Sequence, residues 1–377
     1  MCRSGGIGRR RGFKIPRPLG VRVRVSPSAP SNIHLKIQNY NFDLPEHLIA
    51  KNPPELRASS RLLVVDDELI DRNFTDISKY LYEGDLLVIN DTRVFKARLD
   101  ASKLTGGKVE VLLERKVDQY HALAMTKSNR PMKLGDELII PNSEITAEVI
   151  EKREYLCLLK FSRDVEEVIE RHGTIPIPPY MNRVPSQNDY ERYQTIYADK
   201  EKERSSAAPT AGLHFDENLL ETVKDKGVEI VPITLDIGLG TFKPITSEKI
   251  TDHKMHSERI YLSEEASEKI NKTLKSQSKI ISVGTTCLRC LESIYREYGE
   301  IKPFKGETDI FIYPGFEFNV VDSLITNFHL PKTTLLLLVS AFAGEVTIRD
   351  AYQHAIDKSY RFYSYGDAML LNRKSDN

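Results

Sequence analysis

A chain of 377 residues with 40% hydrophobic and 29% charged residues has the make-up of an ordinary soluble protein, long enough for two hydrophobic cores. Its longest apolar stretch, 335–339 extended by 341–343, falls far short of the roughly 20 residues that span a bilayer, so no membrane helix is expected. Four cysteines (Cys2, Cys157, Cys287 and Cys290) are too few for a disulfide framework and fit a reducing, cytoplasmic setting.

The balance of 54 basic and 54 acidic residues conceals an asymmetry. Residues 1–35 carry eight basic residues and no acid, which leaves 46 basic against 54 acidic residues, a formal charge of −8, in the remainder. A phosphate-bearing partner must therefore meet a local basic patch, because the field of the whole chain repels it. The leader lacks the apolar segment of a secretory signal. An organellar targeting segment and a nucleic-acid-binding arm are two readings of it; the one adopted is a disordered or non-native leader, with the folded chain starting near Leu35.

Protein-like text begins at Tyr40. Residues 62–65 read as a short buried strand, Phe74, Ile77, Tyr80 and Leu81 recur at helical spacing, and 86–89 form a second apolar strand. Six β-rich runs follow without a helix: 94–99, 109–113, 120–125, 137–140, 145–150 and 155–161, separated by turn signals such as Gly106-Gly107 and Gly135-Asp136. They predict a small antiparallel barrel or sandwich. Helical periodicity resumes after Asp164 with Val165, Val168 and Ile169 on one face and Gly173 as the stop. From there the chain alternates. Asp216 caps a helix ending at Gly227, 228–235 is a strand, Ser263 starts a helix, and 280–283 is a strand. Then 288–298 is helical, 310–312 extended, 334–342 an apolar helix stopping at Gly344, and 348–358 the last helix. The fold class is thus α/β: a large domain with a barrel-like, mixed sheet, formed by 36–91 plus 164–377, interrupted by an inserted β-barrel at 92–163.

Several polar clusters could carry chemistry. The run 207–215, with Ala208, Pro209, Thr210, Gly212 and His214, places small residues just before a helix, a junction able to hold an anionic or nucleotide group or simply to permit tight packing. Gly238, Gly240 and Thr241 follow a strand, but no third glycine or immediate helix completes a dinucleotide fingerprint. His253, His256 and Glu258 suit acid–base work, polar recognition or an exposed turn; no further ligand completes a metal set. Cys287 and Cys290 sit in a helical pattern without a second pair and read as small buried residues. Asn90 and Arg93 end a buried strand, Asn327 and His329 precede the apolar helix, and Arg361, Tyr365 and Asp367 lie in an aromatic segment able to stack on bases.

No one cluster names a reaction. Together and in order they resemble one family, the S-adenosylmethionine:tRNA ribosyltransferase-isomerases of queuosine biosynthesis. The matching text includes FDLPEHLIA (42–50), GDLLVINDTRVFKARL (84–99), RYQTIYA (192–198), AAPTAGLHF (207–215), IGLGTF (237–242), HKMHSE (253–258), VGTTCLRCLES (283–293), DIFIYPGFEFNVVDSLITNFHLP (309–331) and YRFYSYGDAML (360–370). Asp236, where the family usually has His, and Cys287 and Cys290 depart from the pattern. The resemblance implies an α/β domain interrupted by a β-barrel. It implies transfer and isomerisation of the ribosyl group of S-adenosylmethionine onto 7-aminomethyl-7-deazaguanine at the tRNA wobble position, giving epoxyqueuosine-tRNA, adenine and methionine. S-adenosylmethionine is a co-substrate; no cofactor or metal is implied, and a cytoplasmic monomer without membrane contact is expected. By the motif matches, His214 and His256 are the acid–base candidates. Ala208, Pro209, Thr210, Gly212, Gly238, Gly240 and Thr241 would line the donor pocket. Arg93, Tyr193, Gln194, Asn327, His329 and Arg361 would contact base, ribose or phosphate; Asn90, His253, Glu258, Thr285, Tyr365 and Asp367 complete the expected substrate contacts. A metal-dependent hydrolase and a non-catalytic RNA-binding module are the rival readings.

Overall fold

The computed structural model describes residues 36–153, 155–238 and 245–374. The basic leader and the predicted contacts Gly240 and Thr241 lie outside the described residues. In chain order the strands β1 (Arg61–Val65), β2 (Leu69–Asn73), β3 (Leu86–Asn90) and β4 (Arg93–Val94) lead into β5 (Arg98–Lys103), β6 (Lys108–Lys116), β7 (His121–Ser128), β8 (Glu137–Ile139), β9 (Thr146–Arg153) and β10 (Leu156–Phe161). Then come α1 (Val165–His172), α2 (Asp189–Arg192), β11 (Glu203–Ser205), α3 (Glu217–Asp225), β12 (Glu229–Asp236), β13 (Glu258–Leu262), α4 (Glu264–Leu274), β14 (Ile280–Val283), α5 (Thr285–Tyr298), β15 (Phe304–Thr308), β16 (Ser323–Asn327), α6 (Thr334–Ala343), α7 (Glu345–Asp357) and β17 (Ala368–Asn372).

Among the described residues, nine strands form one mixed sheet in the order β15-β13-β12-β3-β14-β16-β17-β1-β2. Four neighbours, β12, β3, β14 and β16, run parallel. The apolar sequences of β1 and β3 reflect cover on both faces: Leu63, Val65, Leu86 and Val88 join the core with α4 to α7, whereas Leu62, Val64, Leu87 and Ile89 pack with Phe74, Ile77 and the Leu219, Leu220 and Val223 face of α3. Strand alternation sorts adjacent residues into the two cores. The functional consequence is that Asn90, Asp236, Val283 and Asn327 all stand at the carboxyl ends of parallel strands, where α/β sheets bind ligands.

Five of the six β-rich runs correspond to strands β6 to β10; the first, 94–99, instead covers the end of β4, irregular residues 95–97 and only the start of β5. Strands β5 to β10 close into an antiparallel barrel in the order β10-β7-β6-β5-β8-β9. Leu99, Val109, Val111, Leu113, Leu138, Val149, Leu159 and Phe161 fill it, together with Cys157, and Val165, Val168 and Ile169 of α1 pack on that core. Most capping expectations hold: Asp164, Asp216 and Ser263 each accept a hydrogen bond from the first turn of the helix they precede.

Other expectations are corrected. The helical spacing at Phe74 is a 3-10 turn, Phe74–Tyr80. Residues 310–312 are irregular; the strand is Phe304–Thr308, whose half-exposed, polar text suits an edge. Helix α5 starts at Thr285, and α7 starts at Glu345, directly after Gly344 at φ +97°. The first turn of α3 carries its own acceptor, Asp216 Oδ1, which takes the Leu219 amide at 2.8 Å; α5 and α7 begin without a side-chain cap among the described residues, after Gly284 at φ +89° and Gly344 at φ +97°.

Gly173 ends α1 in extended backbone (φ −75°), so left-handed freedom is not what requires glycine there. A Cβ at this position would lie 2.3 Å from Lys96 O and 2.4 Å from Ile169 O, both backbone atoms. Gly173→Ala should therefore lower stability by about 2 kcal/mol or more, while Gly107→Ala, whose Cβ meets nothing within 4 Å, should stay within about 0.5 kcal/mol of the parent. Urea unfolding midpoints of the two variants measure this contrast, and equal midpoints would refute the steric argument.

Candidate active site

The centre of the site is a chain of side chains at the carboxyl end of β16. Thr210 Oγ1 donates to Asn327 Oδ1 at 2.8 Å. With its carbonyl so engaged, the Asn327 amide donates from Nδ2 to His214 Nε2 at 3.0 Å. That assigns the proton to Nδ1, which donates to Ser60 Oγ at 3.0 Å. The sequence separations spanned are large, so this chain ties the 209–215 loop to β16 and to the start of β1. His214 is 3% exposed, with Phe74 tilted against its ring at 4.9 Å. Burial, reinforced by Arg361, pushes its pKa down to about 3, so the imidazole is neutral at pH 7 with both nitrogens occupied.

Two cavities flank this chain. The larger, a partly open pocket with about 350 Å3 of free space including its mouth, is lined by Tyr180, Thr210, Asn327, Phe328, His329 and Tyr363, among others. The smaller, about 210 Å3, is lined by Pro53, Pro54, Arg57, Arg192, His214 and Tyr365, and Ser364 borders both. Tyr180 and Ser364 exchange hydrogen bonds: the phenol donates to Ser364 Oγ and accepts from Ser364 N. Tyr363 adopts φ +74°, a costly conformation for an aromatic residue, held by its amide donating to Phe328 O and its carbonyl accepting from Gly366 N. His329 keeps its Nε2 on Thr326 Oγ1 at 3.0 Å, and burial lowers its pKa to about 3 as well.

Other predicted residues brace this centre. Tyr365 donates to Asp189 at 2.9 Å, and its ring meets that of Tyr193 at 5.9 Å. Burial alone would raise the Asp189 pKa, but Arg183, Ser186 and Tyr365 hold it down to about 2. Gln194 brackets the Val94 backbone, accepting from its N and donating to its O. Asn90 does the same for Leu235. Arg93 pairs with Glu203, Asp367 accepts from the amides of Arg61 and Arg361, and Arg361 reaches Asn52 O. Ala208 is buried, Pro209 precedes the 3-10 turn Thr210–His214, and Gly212 cannot carry a side chain, since a Cβ would sit 2.0 Å from Tyr197 Oη.

A second group lies where the barrel meets the sheet. His256 packs edge-on to Tyr155 at 4.3 Å, and His253 to Phe311 at 5.3 Å. Burial, with His256 nearby, lowers the His253 pKa. Glu258 forms a buried ion pair with Arg289, a residue the sequence reading did not single out, and Thr285 opens α5. A Cβ on Gly238 would lie 2.7 Å from Glu114 Oε1 of the barrel. Asp236, the departure from the family pattern, has its pKa raised by burial despite Arg259 at 3.2 Å. Cys287 and Cys290 are buried thiols whose pKa burial raises. No group of three or more His, Cys, Asp or Glu that could hold a metal occurs among the described residues. Likewise, no helix among them is long and apolar enough to cross a membrane.

The model of a family described as "Queuosine biosynthesis protein" matches residues 37–371. The chain belongs to that family. It is 43% identical over 369 residues to the S-adenosylmethionine:tRNA ribosyltransferase-isomerase of Psychrobacter sp. strain PRwf-1, covering 92% of this chain and 95% of the relative. A crystal structure of the S-adenosylmethionine tRNA ribosyltransferase from Thermotoga maritima superposes with a TM-score of 0.51 at 34% identity, covering 88% of this chain and 99% of that one. Family membership disfavours both rival readings. Within this family member, Ser60, Tyr180 and Ser364 are the site residues that sequence reasoning missed, because isolated hydroxyl residues carry no periodic or motif signal.

The occupied nitrogens of His214 give a direct test. Its folded pKa lies below the ordinary 6.5. Burying it neutral therefore contributes stability that is present above pH 6.5 and is lost as pH falls toward 3. Imidazole NMR of the folded protein should show the Nδ1-protonated neutral ring unchanged from pH 8 to pH 5. A titration near 6.5 would contradict the assigned burial.

Proposed function

We propose that this chain transfers and isomerises the ribosyl moiety of S-adenosylmethionine onto 7-aminomethyl-7-deazaguanine at the wobble position of tRNA, releasing adenine and methionine and leaving epoxyqueuosine-tRNA. The observation that carries the reading is the extent of the likeness: one family model over 37–371, and 43% identity to a relative named for this activity along nearly its whole length.

The lining of the larger cavity supports this reading. The rings of Tyr180 and Tyr363 beside the Thr210–Asn327 pair and His329 give the cavity aromatic and polar groups of the kind that recognise a flat heterocycle. The sulfonium of the donor acidifies the adjoining 5′ carbon and makes methionine a good leaving group. A base must remove that proton, and a donor must meet the departing adenine. His214 and His256 are the acid–base candidates of this reading. His214 can take a proton only after a substrate group displaces Asn327 from Nε2, which links proton transfer to occupancy of the cavity. Until then it holds Asn327 with its carbonyl turned to Thr210. The reading needs no cofactor, and it describes a cytoplasmic monomer acting on soluble tRNA.

The assay is release of adenine and methionine from S-adenosylmethionine by the purified full chain. Both products should form in equal amounts with tRNA carrying the aminomethyl-deazaguanine base, and neither should form with tRNA carrying guanine there. His214→Ala and His256→Ala should each lower turnover by about 100-fold or more with tRNA affinity changed far less. Absence of adenine from the parent protein would overturn the function, and unchanged turnover would remove the histidine concerned.

A further inference from the structure

The smaller cavity is unusually cationic. Arg57 and Arg192 line it beside His214, and among the described residues no acidic one does. Both guanidinium groups are tethered to backbone carbonyls: Arg57 Nη2 to Glu191 O at 3.0 Å, Arg192 Nη1 to Glu55 O at 3.0 Å and Arg192 Nη2 to Pro54 O at 2.7 Å. Arg361 holds Asn52 O of the same loop at 2.6 Å. Carbonyls align a guanidinium without neutralising it. Among the described residues none of the three arginines has a carboxylate within ion-pair distance, whereas Arg61, Arg93, Arg98 and Arg183 all do. One nitrogen on each lining residue, Arg57 Nη1 and Arg192 Nε, is buried with no hydrogen-bond partner among the described residues. Burial and then Arg192 depress the Arg57 pKa, outweighing the pull of Glu191, as expected for like charges held together without a counter-ion.

Such an arrangement is costly unless an anion completes it. We infer that Arg57 and Arg192 form a phosphate site that binds a backbone phosphodiester of tRNA next to the target nucleotide. The inference rests on the proposed function for the identity of the polyanion. The other anion available to that reaction is the carboxylate of S-adenosylmethionine. That molecule also carries an ammonium and a sulfonium, so its net charge is positive, and a pair of guanidinium groups disfavours it. A tRNA is the opposite case. With 46 basic against 54 acidic residues after position 35, the chain needs a concentrated patch to engage RNA, and this cavity places one beside His214.

Each phosphate contact contributes about 0.7 to 0.9 to the slope of log affinity against log salt concentration. In the full chain, Arg57→Gln and Arg192→Gln should each weaken tRNA binding about tenfold at low salt and flatten that slope by about one, with KM for S-adenosylmethionine unchanged. Arg57→Lys should restore the slope, which a purely structural role in bracing the 52–55 loop would not require. Anticodon stem-loops with single methylphosphonate linkages test the unmutated protein, so the outcome does not depend on variants folding. Neutralising a phosphate that flanks the wobble nucleotide should flatten the slope for the parent and not further for Arg57→Gln. Unchanged slopes throughout would overturn the site, as would a rise confined to KM for S-adenosylmethionine, which assigns the arginines to its carboxylate. Either result with a parent that still releases adenine leaves the proposed function standing; a parent that releases none defeats that reading first.

Discussion

The arrangement turns on one buried neutral imidazole. His214 receives the Asn327 amide on one nitrogen and gives its proton to Ser60 from the other, and these bonds join three chain segments that meet nowhere else in sequence. An ionised ring could not serve, because Nε2 would lose its acceptor and a charge would be left among Phe74 and Phe215. Burial and the neighbouring Arg361 both disfavour that ionised form. The electrostatics of the site and the hydrogen bonding of its walls are therefore one constraint. Loss of the imidazole would free the Asn327 amide and separate the two cavities from their common wall.

The sheet explains why residues so far apart in sequence converge. Four parallel strands deliver their carboxyl ends to one edge, each with a polar or small residue within two positions of its end: Asp91 after β3, Gly238 after β12, Gly284 after β14 and His329 after β16. The barrel leaves the main chain between β4 and α1 and returns its β6 edge toward β15, where Arg115 reaches Glu307 at 3.4 Å. Its Glu114 stands against Gly238, and Tyr155 stands against His256. Barrel residues thus border the second histidine group, while the His214 group is walled by the sheet and the 52–57 and 360–367 segments.

Much of this was legible in the sequence, for identifiable reasons. Central strands β1, β3 and β14 are covered on both faces and so read as continuous apolar runs; the barrel strands announce themselves by turns at Gly106 and Gly135. Asp164, Asp216 and Ser263 mark helix starts because a short acceptor side chain serves there. The edge strands β2 and β15 were not legible, since their polar, half-exposed residues carry no alternation strong enough to distinguish them from loop. At the site, His214, Thr210, Asn327 and His329 stood out as unusual polar residues in small or apolar text. Their joining through hydrogen bonds depends on strand order, which local patterns do not encode. The same holds for Ser60, and for the cationic wall made by Arg57 and Arg192, which in sequence are ordinary surface arginines.

The central claim is that His214 and Asn327 act as one unit. A double-mutant cycle on adenine release, using His214→Gln, Asn327→Ala and the pair, measures that coupling most directly. The account predicts that the double variant is little worse than the more damaging single variant, because either change already breaks the shared bond. Multiplicative losses, with each residue contributing independently, would contradict it.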